Sequence, residues 1–344
     1  MYSEDHHILR DAVGSFLRDC DPKDPTLGEA IVEQGWSGLL IDERYGGSAM
    51  DVTAACVLAE QIGRHLLCSP VLCAALIPSY VLQREATEAL KSEWLPRIAS
   101  GDTLVTLDAS GDDGANNCVE QVGGELVLSG EWAFVPDLDQ AEAALLPVTH
   151  GDGSLAMVLT QSVDMATAPF TTLDDRKFAK ATLSTVAINP TRLLGAPALS
   201  TARHLGALIF AAEQYGSAIA AFELTVDYLK ERKQFGRNLG SFQALQHRVA
   251  SLYTELTMLE ALVIKASVIL QAQEHDAEKF CSMAKAKAGR VAALVTNEAI
   301  QLHGGIGMTE EYAVGRFIKR VAVSEKMFGD SDCHTDRVAV LSGF

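Results

Sequence analysis

Apolar residues change their spacing twice along this chain. From about residue 4 to 100 they recur at three- and four-residue steps, as in Ala54–His65 and Glu85–Ile98, with Pro70, Pro78 and Pro96 as punctuation. That spacing predicts helices. From about 101 to 197 short β-type runs take over, among them Thr103–Leu107, Leu126–Leu128, Ala143–Leu146 and Leu155–Leu159. Gly, Asp, Asn and Pro separate them, which predicts an antiparallel sheet ending near Pro190 and Gly195-Ala196-Pro197. Beyond 200 the helical period returns. Leu208, Ala212, Tyr215, Ile219, Phe222, Val226 and Leu229 form one stripe. Leu245, Val249, Leu252, Leu256, Leu259, Val263, Ala266 and Leu270 form a second. Further helices are predicted at roughly 277–302 and 310–328.

The expected class is therefore α+β, mainly α. It comprises an N-terminal helical domain (1–100), a middle antiparallel β domain (101–197) and a C-terminal four-helix bundle (198–344). Helix, then strand, then helix argues against a doubly wound parallel sheet, in which strands and helices alternate.

Composition narrows the partners. The 344 residues carry 28 Lys+Arg against 45 Asp+Glu, a formal net charge of −17. That argues against a general nucleic-acid binder or an anionic-membrane binder. No uninterrupted apolar run approaches the ~20 residues of a membrane span. The seven cysteines are odd in number and never in CxxC spacing, so thiols in a reducing cytoplasm are expected, with no zinc site.

Two segments carry candidate chemistry. In Tyr228–Gly240, Lys230, Arg232, Lys233 and Arg237 crowd a helix end, and Gly236 and Gly240 allow a tight connection onward. Cations complement a helix C-terminus, so a structural role is open; the same cluster beside an aromatic also suits a diphosphate. In Gln301–Tyr312, Gly304, Gly305 and Gly307 break a helix and permit close backbone approach. This is not GxGxxG and follows no strand, so a dinucleotide fingerprint fails on context.

Together these segments resemble the acyl-CoA dehydrogenases. ERKQFGRNLGSFQALQHRVA (231–250), QLHGGIGMTEEY (301–312) and GWSGLLIDERYGG (35–47) are similar to stretches of that family, and the order of zones agrees. The resemblance implies FAD held at a subunit interface, with an acyl-CoA substrate and electron-transfer flavoprotein as acceptor. It implies that Arg232 pairs with the FAD diphosphate of a neighbouring subunit. Gln234 and Phe235 would lie beside the ribityl and adenine portions. Gln301, Gly304 and Gly305 would receive the ADP half. Arginine suits a diphosphate because its planar fork makes paired bonds to phosphate oxygens.

The sequence departs from the family where the chemistry happens. The usual catalytic Glu position is Phe328, before Gly329, and the alternative position on the first long C-terminal helix is Gly206. Neither side chain accepts a proton. Asp330 and Asp332 are the remaining weak candidates for a base. The segment Leu107–Gly114 is only vaguely like the family's flavin-facing loop, and Phe134-Val135-Pro136 puts proline where a hydroxyl usually stands.

A clamp without a base points to an unlike partner, as in bacterial α2β2 acyl-CoA dehydrogenases of steroid-derived acyl-CoA breakdown. Two alternatives stay open. One is a self-sufficient homo-oligomer with a relocated carboxylate. The other is a non-catalytic paralogue that binds acyl-CoA or scaffolds a partner.

Overall fold

The computed structural model describes residues 2–20, 30–31, 33–111, 117–309 and 312–344. The N-terminal zone holds helices α1 (Glu4–Asp19), α2 (Val52–His65), α3 (Ile77–Glu85) and α4 (Glu88–Ala99). The single helix expected over Glu85–Ile98 is shorter than that. The chain breaks after Glu85, and Thr87 restarts it by accepting the Leu90 amide. Two prolines expected as punctuation sit within helical structure. Pro78 follows a π-turn at Leu72–Leu76, a widened turn that accommodates the lost donor, and Pro96 lies in the last turn of α4.

The middle zone is one eight-stranded sheet of β1 (Val105–Leu107), β2 (Cys118–Val122), β3 (Glu125–Pro136), β4 (Ala143–His150), β5 (Leu155–Gln161), β6 (Ala166–Thr171), β7 (Lys177–Ile188) and β8 (Leu193–Gly195). Its order is β6-β7-β3-β2-β4-β5-β8, with β1 also paired to β4. The purely antiparallel expectation needs correction, because β1 and β2 each run parallel to β4 along different halves of it. All other pairings in the sheet are antiparallel. The long β3–β7 pair is bulged twice, between Leu128 and Gly130 and between Trp132 and Val135, which adds local bend and twist.

The C-terminal zone contains α5 (Ala196–Glu231), α6 (Gln243–Gln271), α7 (Ala277–His303), α8 (Val314–Lys326) and a further helix, α9 (Ser331–Leu341). The fourth helix expected at 310–328 is thus shorter, and a fifth follows it. Asp330 caps α9 by accepting the Cys333 amide at 3.1 Å. Of α5, an 18-residue stretch is long and apolar enough to cross a membrane, but 89% of it is buried inside the protein, as in a core helix.

One apolar core runs from the N-terminal helices across one face of the sheet into α5, α6 and α7. A second, around Trp132, Leu146 and Val158, lies within the sheet zone. Helices α2 and α5 cross at backbone contact. A Cβ on Gly63 would overlap the Glu213 carbonyl, and one on Gly216 the Glu60 carbonyl.

Candidate functional site

At the end of α5 the chain makes a two-residue hairpin, β9 (Lys233–Gln234) against β10 (Arg237–Asn238). Phe235 and Gly236 form its tip with φ of 54° and 79°. Two successive positive φ values match the twist of a tight hairpin. The sequence reading expected only a connection here. Asn238 Nδ2 donates to the Lys230 carbonyl at 2.6 Å and pins the hairpin to the helix. Of the four basic residues, Lys230 pairs with Asp227 at 2.9 Å, and the Arg237 guanidinium lies 3.9 Å from the centre of the Phe242 ring. The side chains of Arg232, Lys233 and Gln234 are exposed and meet no polar partner among the described residues. Phe235 is 88% exposed.

The glycine turn lies against the same end of α5. The Tyr228 ring, one helical turn before Arg232, stacks on His303 with centroids 4.3 Å apart, and its hydroxyl donates to the His303 carbonyl at 3.4 Å. The His303 Nδ1 lies 2.7 Å from the Ala299 carbonyl, so it carries the proton. Burial holds this imidazole below its ordinary pKa. Histidine here is a structural floor. Gln301, Gly304 and Gly305 are exposed above it. Among the described residues, none beyond the adjoining chain neighbours comes within 4 Å of where a Cβ on Gly304 or Gly305 would sit, and Gly304 has φ +65°. The turn therefore offers open backbone, and the hairpin offers an uncommitted guanidinium and ammonium. That donor set fits a diphosphate-containing group.

The two expected base positions, far apart in sequence, meet in space. Phe328 is buried, and a Cβ placed on Gly206 would come within 2.5 Å of its ring. Only glycine on α5 leaves room for that ring, whose other neighbour is Phe210 at 5.7 Å. Phe328 has φ +57°, and its backbone is held at both ends. Its N–H donates to the Ala109 carbonyl at 2.7 Å, and its carbonyl accepts from His334 Nε2 at 2.9 Å. Beneath it, buried Lys285 donates to the carbonyls of Ser324 and Glu325 at 3.2 and 2.9 Å, and Glu325 accepts the Ser331 amide at 2.7 Å. Burial lowers the Lys285 pKa to about 8. The loop that the resemblance reserves for a base is a braced aromatic plug.

Of the two remaining carboxylates, one is already committed. Asp330 accepts from Lys326 at 2.7 Å as well as capping α9. The lysine bond, then the Cys333 amide, hold its pKa at about 2, far from a base working near neutrality. Asp332 is exposed on the first turn of α9. Pro136 is buried, its carbonyl accepts from Thr106 at 2.5 Å, and with neither N–H nor hydroxyl it offers no donor toward a flavin ring. Phe134 instead stacks on Phe178, with centroids 4.1 Å apart, and borders an open groove shared with Phe170, Val323 and Lys326. The segment Leu107–Gly114 is described only as far as Gly111.

Two features escaped the sequence reading. Asp137 follows Pro136 and lines a cavity of about 20 Å³ with Cys73, Arg176, Phe178 and Glu213. Burial, and then Asp139, push its pKa up to about 7. Nearby, Arg320 lies 2.8 Å from Asp174 and 3.0 Å from Glu213, and Arg176 lies 2.7 Å from Asp174 and 3.4 Å from Glu213. This buried quartet ties the β6–β7 turn to α5 and α8. A glutamate inside the apolar run Ile209–Gly216 was its only sequence signal.

This layering of helices, sheet and helices defines a class. The chain belongs to the acyl-CoA dehydrogenase family, oxidoreductases acting on the CH–CH bond of acyl-CoA thioesters with FAD as cofactor. Residues 3–102 match the acyl-CoA dehydrogenase N-terminal domain, and residues 195–340 match the C-terminal domain. Among its relatives is the acyl-CoA dehydrogenase IpdE2 of Mycolicibacterium smegmatis, 29% identical over 95% of each chain. The Tcur3481–Tcur3483 steroid acyl-CoA dehydrogenase superposes with a TM-score of 0.90 at 26% identity, over 98% of each chain. The ChsE4–ChsE5 complex of Mycobacterium tuberculosis shares the fold with a TM-score of 0.91 at 22% identity, over 100% of this chain and 99% of that one.

Proposed function

We propose that this chain is the base-less subunit of a heteromeric, α2β2-type acyl-CoA dehydrogenase. It supplies the cross-subunit FAD clamp to an unlike partner that carries the catalytic carboxylate. The observation that carries the reading is the Phe328 ring seated on Gly206, which brings the two positions expected for a base together without a carboxylate on either. The exposure of Arg232, Gln234, Phe235, Gln301, Gly304 and Gly305 supports the clamp, because a second chain could reach them. In the reaction, the partner's carboxylate takes the α-proton of the thioester, and FAD supplies the acceptor for the β-hydride. Electron-transfer flavoprotein would be the onward electron acceptor. Arg232 holds the diphosphate, and the Gly304–Gly305 backbone admits the ADP half. A steroid-derived acyl-CoA as substrate and a cytoplasmic location belong to the same proposal; the two-chain steroid relative supports the former.

The homo-oligomeric alternative loses one of its two carboxylates to other work, since Asp330 caps a helix and pairs with Lys326, while Asp332 stands exposed on the first turn of α9. The test is dye-coupled desaturase activity of the purified chain alone, and of the chain co-purified with an unlike family member encoded beside it. Activity is expected only in the pair. Full turnover by this chain alone would overturn the proposal.

A further inference from the structure

On the opposite side of α5 from Gly206, an open cleft of about 880 Å³ separates α1, α2, α5 and α6. That volume lies within the range of small-molecule sites. The glycine crossing of α2 and α5 creates its floor, because Glu60 and Tyr215 stand on either side of the contact. Glu60 is almost fully buried and accepts Arg10 Nη2 at 2.6 Å. The same Nη2 lies 3.7 Å from Glu260. Two carboxylates thus share one guanidinium, and burial pushes the Glu60 pKa up against the pull of Arg10. The other face of Arg10 is closed by the Tyr2 ring at 4.3 Å.

The second observation is Tyr215. Its side chain lines the cleft, it is 8% exposed, and its hydroxyl has no partner among the described residues. Burial, with Glu260 and Glu60 nearby, keeps the phenol protonated. Above it, Ile219, Leu256 and the Tyr253 ring give an apolar wall. The C-terminal ends of α1 and α2 also border the cleft and contribute partial negative charge. Arg18 and His65 at those ends are ordinary complements to the helix dipoles, and Arg64 is paired with Glu223 at 2.5 Å.

We propose that this cleft is a binding site for a small primary amine with a hydrocarbon stem. The ammonium sits between Glu60, Glu260 and the Tyr215 hydroxyl, and the stem lies along Ile219, Leu256 and Tyr253. Carboxylates satisfy an ammonium's donors, and aromatic faces attract its charge. The site is independent of the FAD clamp.

Isothermal titration of the full chain with 1,5-diaminopentane at low salt tests it, with 1-pentanol as the uncharged control. Saturable one-site binding of the diamine is expected, with none of the alcohol. Glu260→Gln and Tyr215→Phe should each weaken it at least about tenfold, with melting temperatures near that of the parent. Tyr215→Phe removes a single oxygen, so it reports on the site even if Glu260→Gln unfolds. Absence of saturable diamine binding, or parental affinity in a folded variant, would overturn the proposal.

Discussion

The plug over Gly206 makes a sharp energetic prediction through a double-mutant cycle. Phe328→Ala removes a buried ring whose backbone stays pinned by Ala109 and His334. The pinned backbone limits collapse, so the cost should be the full ~3–5 kcal/mol of a core Phe→Ala change. Gly206→Ala alone gains ~1 kcal/mol of helix propensity but drives a methyl into the Phe328 ring. Overpacking costs typically ~1–3 kcal/mol or more, so this single change should be net destabilising. In the Phe328→Ala background the same methyl enters empty space, and Gly206→Ala should become stabilising by about 1 kcal/mol. The two positions are therefore coupled by the overpacking cost itself, ~1–3 kcal/mol. Urea denaturation of the parent, both singles and the double variant, followed by circular dichroism, measures this directly. Additive effects would refute the contact, and with it the claim that the two expected base positions meet in space.

Further outcomes follow from the same structure. Arg232→Ala should leave the melting temperature unchanged but weaken FAD retention by the assembled complex at least about tenfold, read from flavin absorbance after gel filtration. Glu213→Gln should destabilise by ~3–5 kcal/mol, because Arg176 and Arg320 would then share Asp174 alone; thermal melting checks it. Asp137 has a folded pKa of about 7, above its unfolded value. Folding therefore favours its neutral form, and stability falls as pH rises from about 4 to 7. Asp137→Asn mimics that neutral form, so it should raise the melting temperature at pH ~8 and leave it unchanged at pH ~4.

Much of the architecture was legible because hydrophobic period survives burial. The long stripes of α5 and α6 and the shift to short β runs sit close to where periodicity put them. Helix α9 was missed because it is short and carries no clean stripe, and its only start signal is the Asp330 cap after Gly329. The parallel pairings of β4 were invisible because strand direction depends on topology, and alternation does not report it. For the site, Arg232 and the glycine turn stood out by residue type, whereas the Tyr228–His303 stack that joins them needed three dimensions. Likewise Phe328 and Gly206 were each odd in sequence, and only the fold makes them one feature. Glu213 shows the reverse case, a charge in an apolar run whose partners come from other elements.

The central claim is that this chain lends a clamp and has no working site of its own. The most direct measurement is the ratio of FAD to protein in the complex co-purified with its unlike partner, with subunit masses fixed by native mass spectrometry. One FAD for each pair of unlike chains is the predicted result, as only the interface served by Arg232 and Gln301 with the partner's ring face is complete. One FAD for every chain would contradict the account.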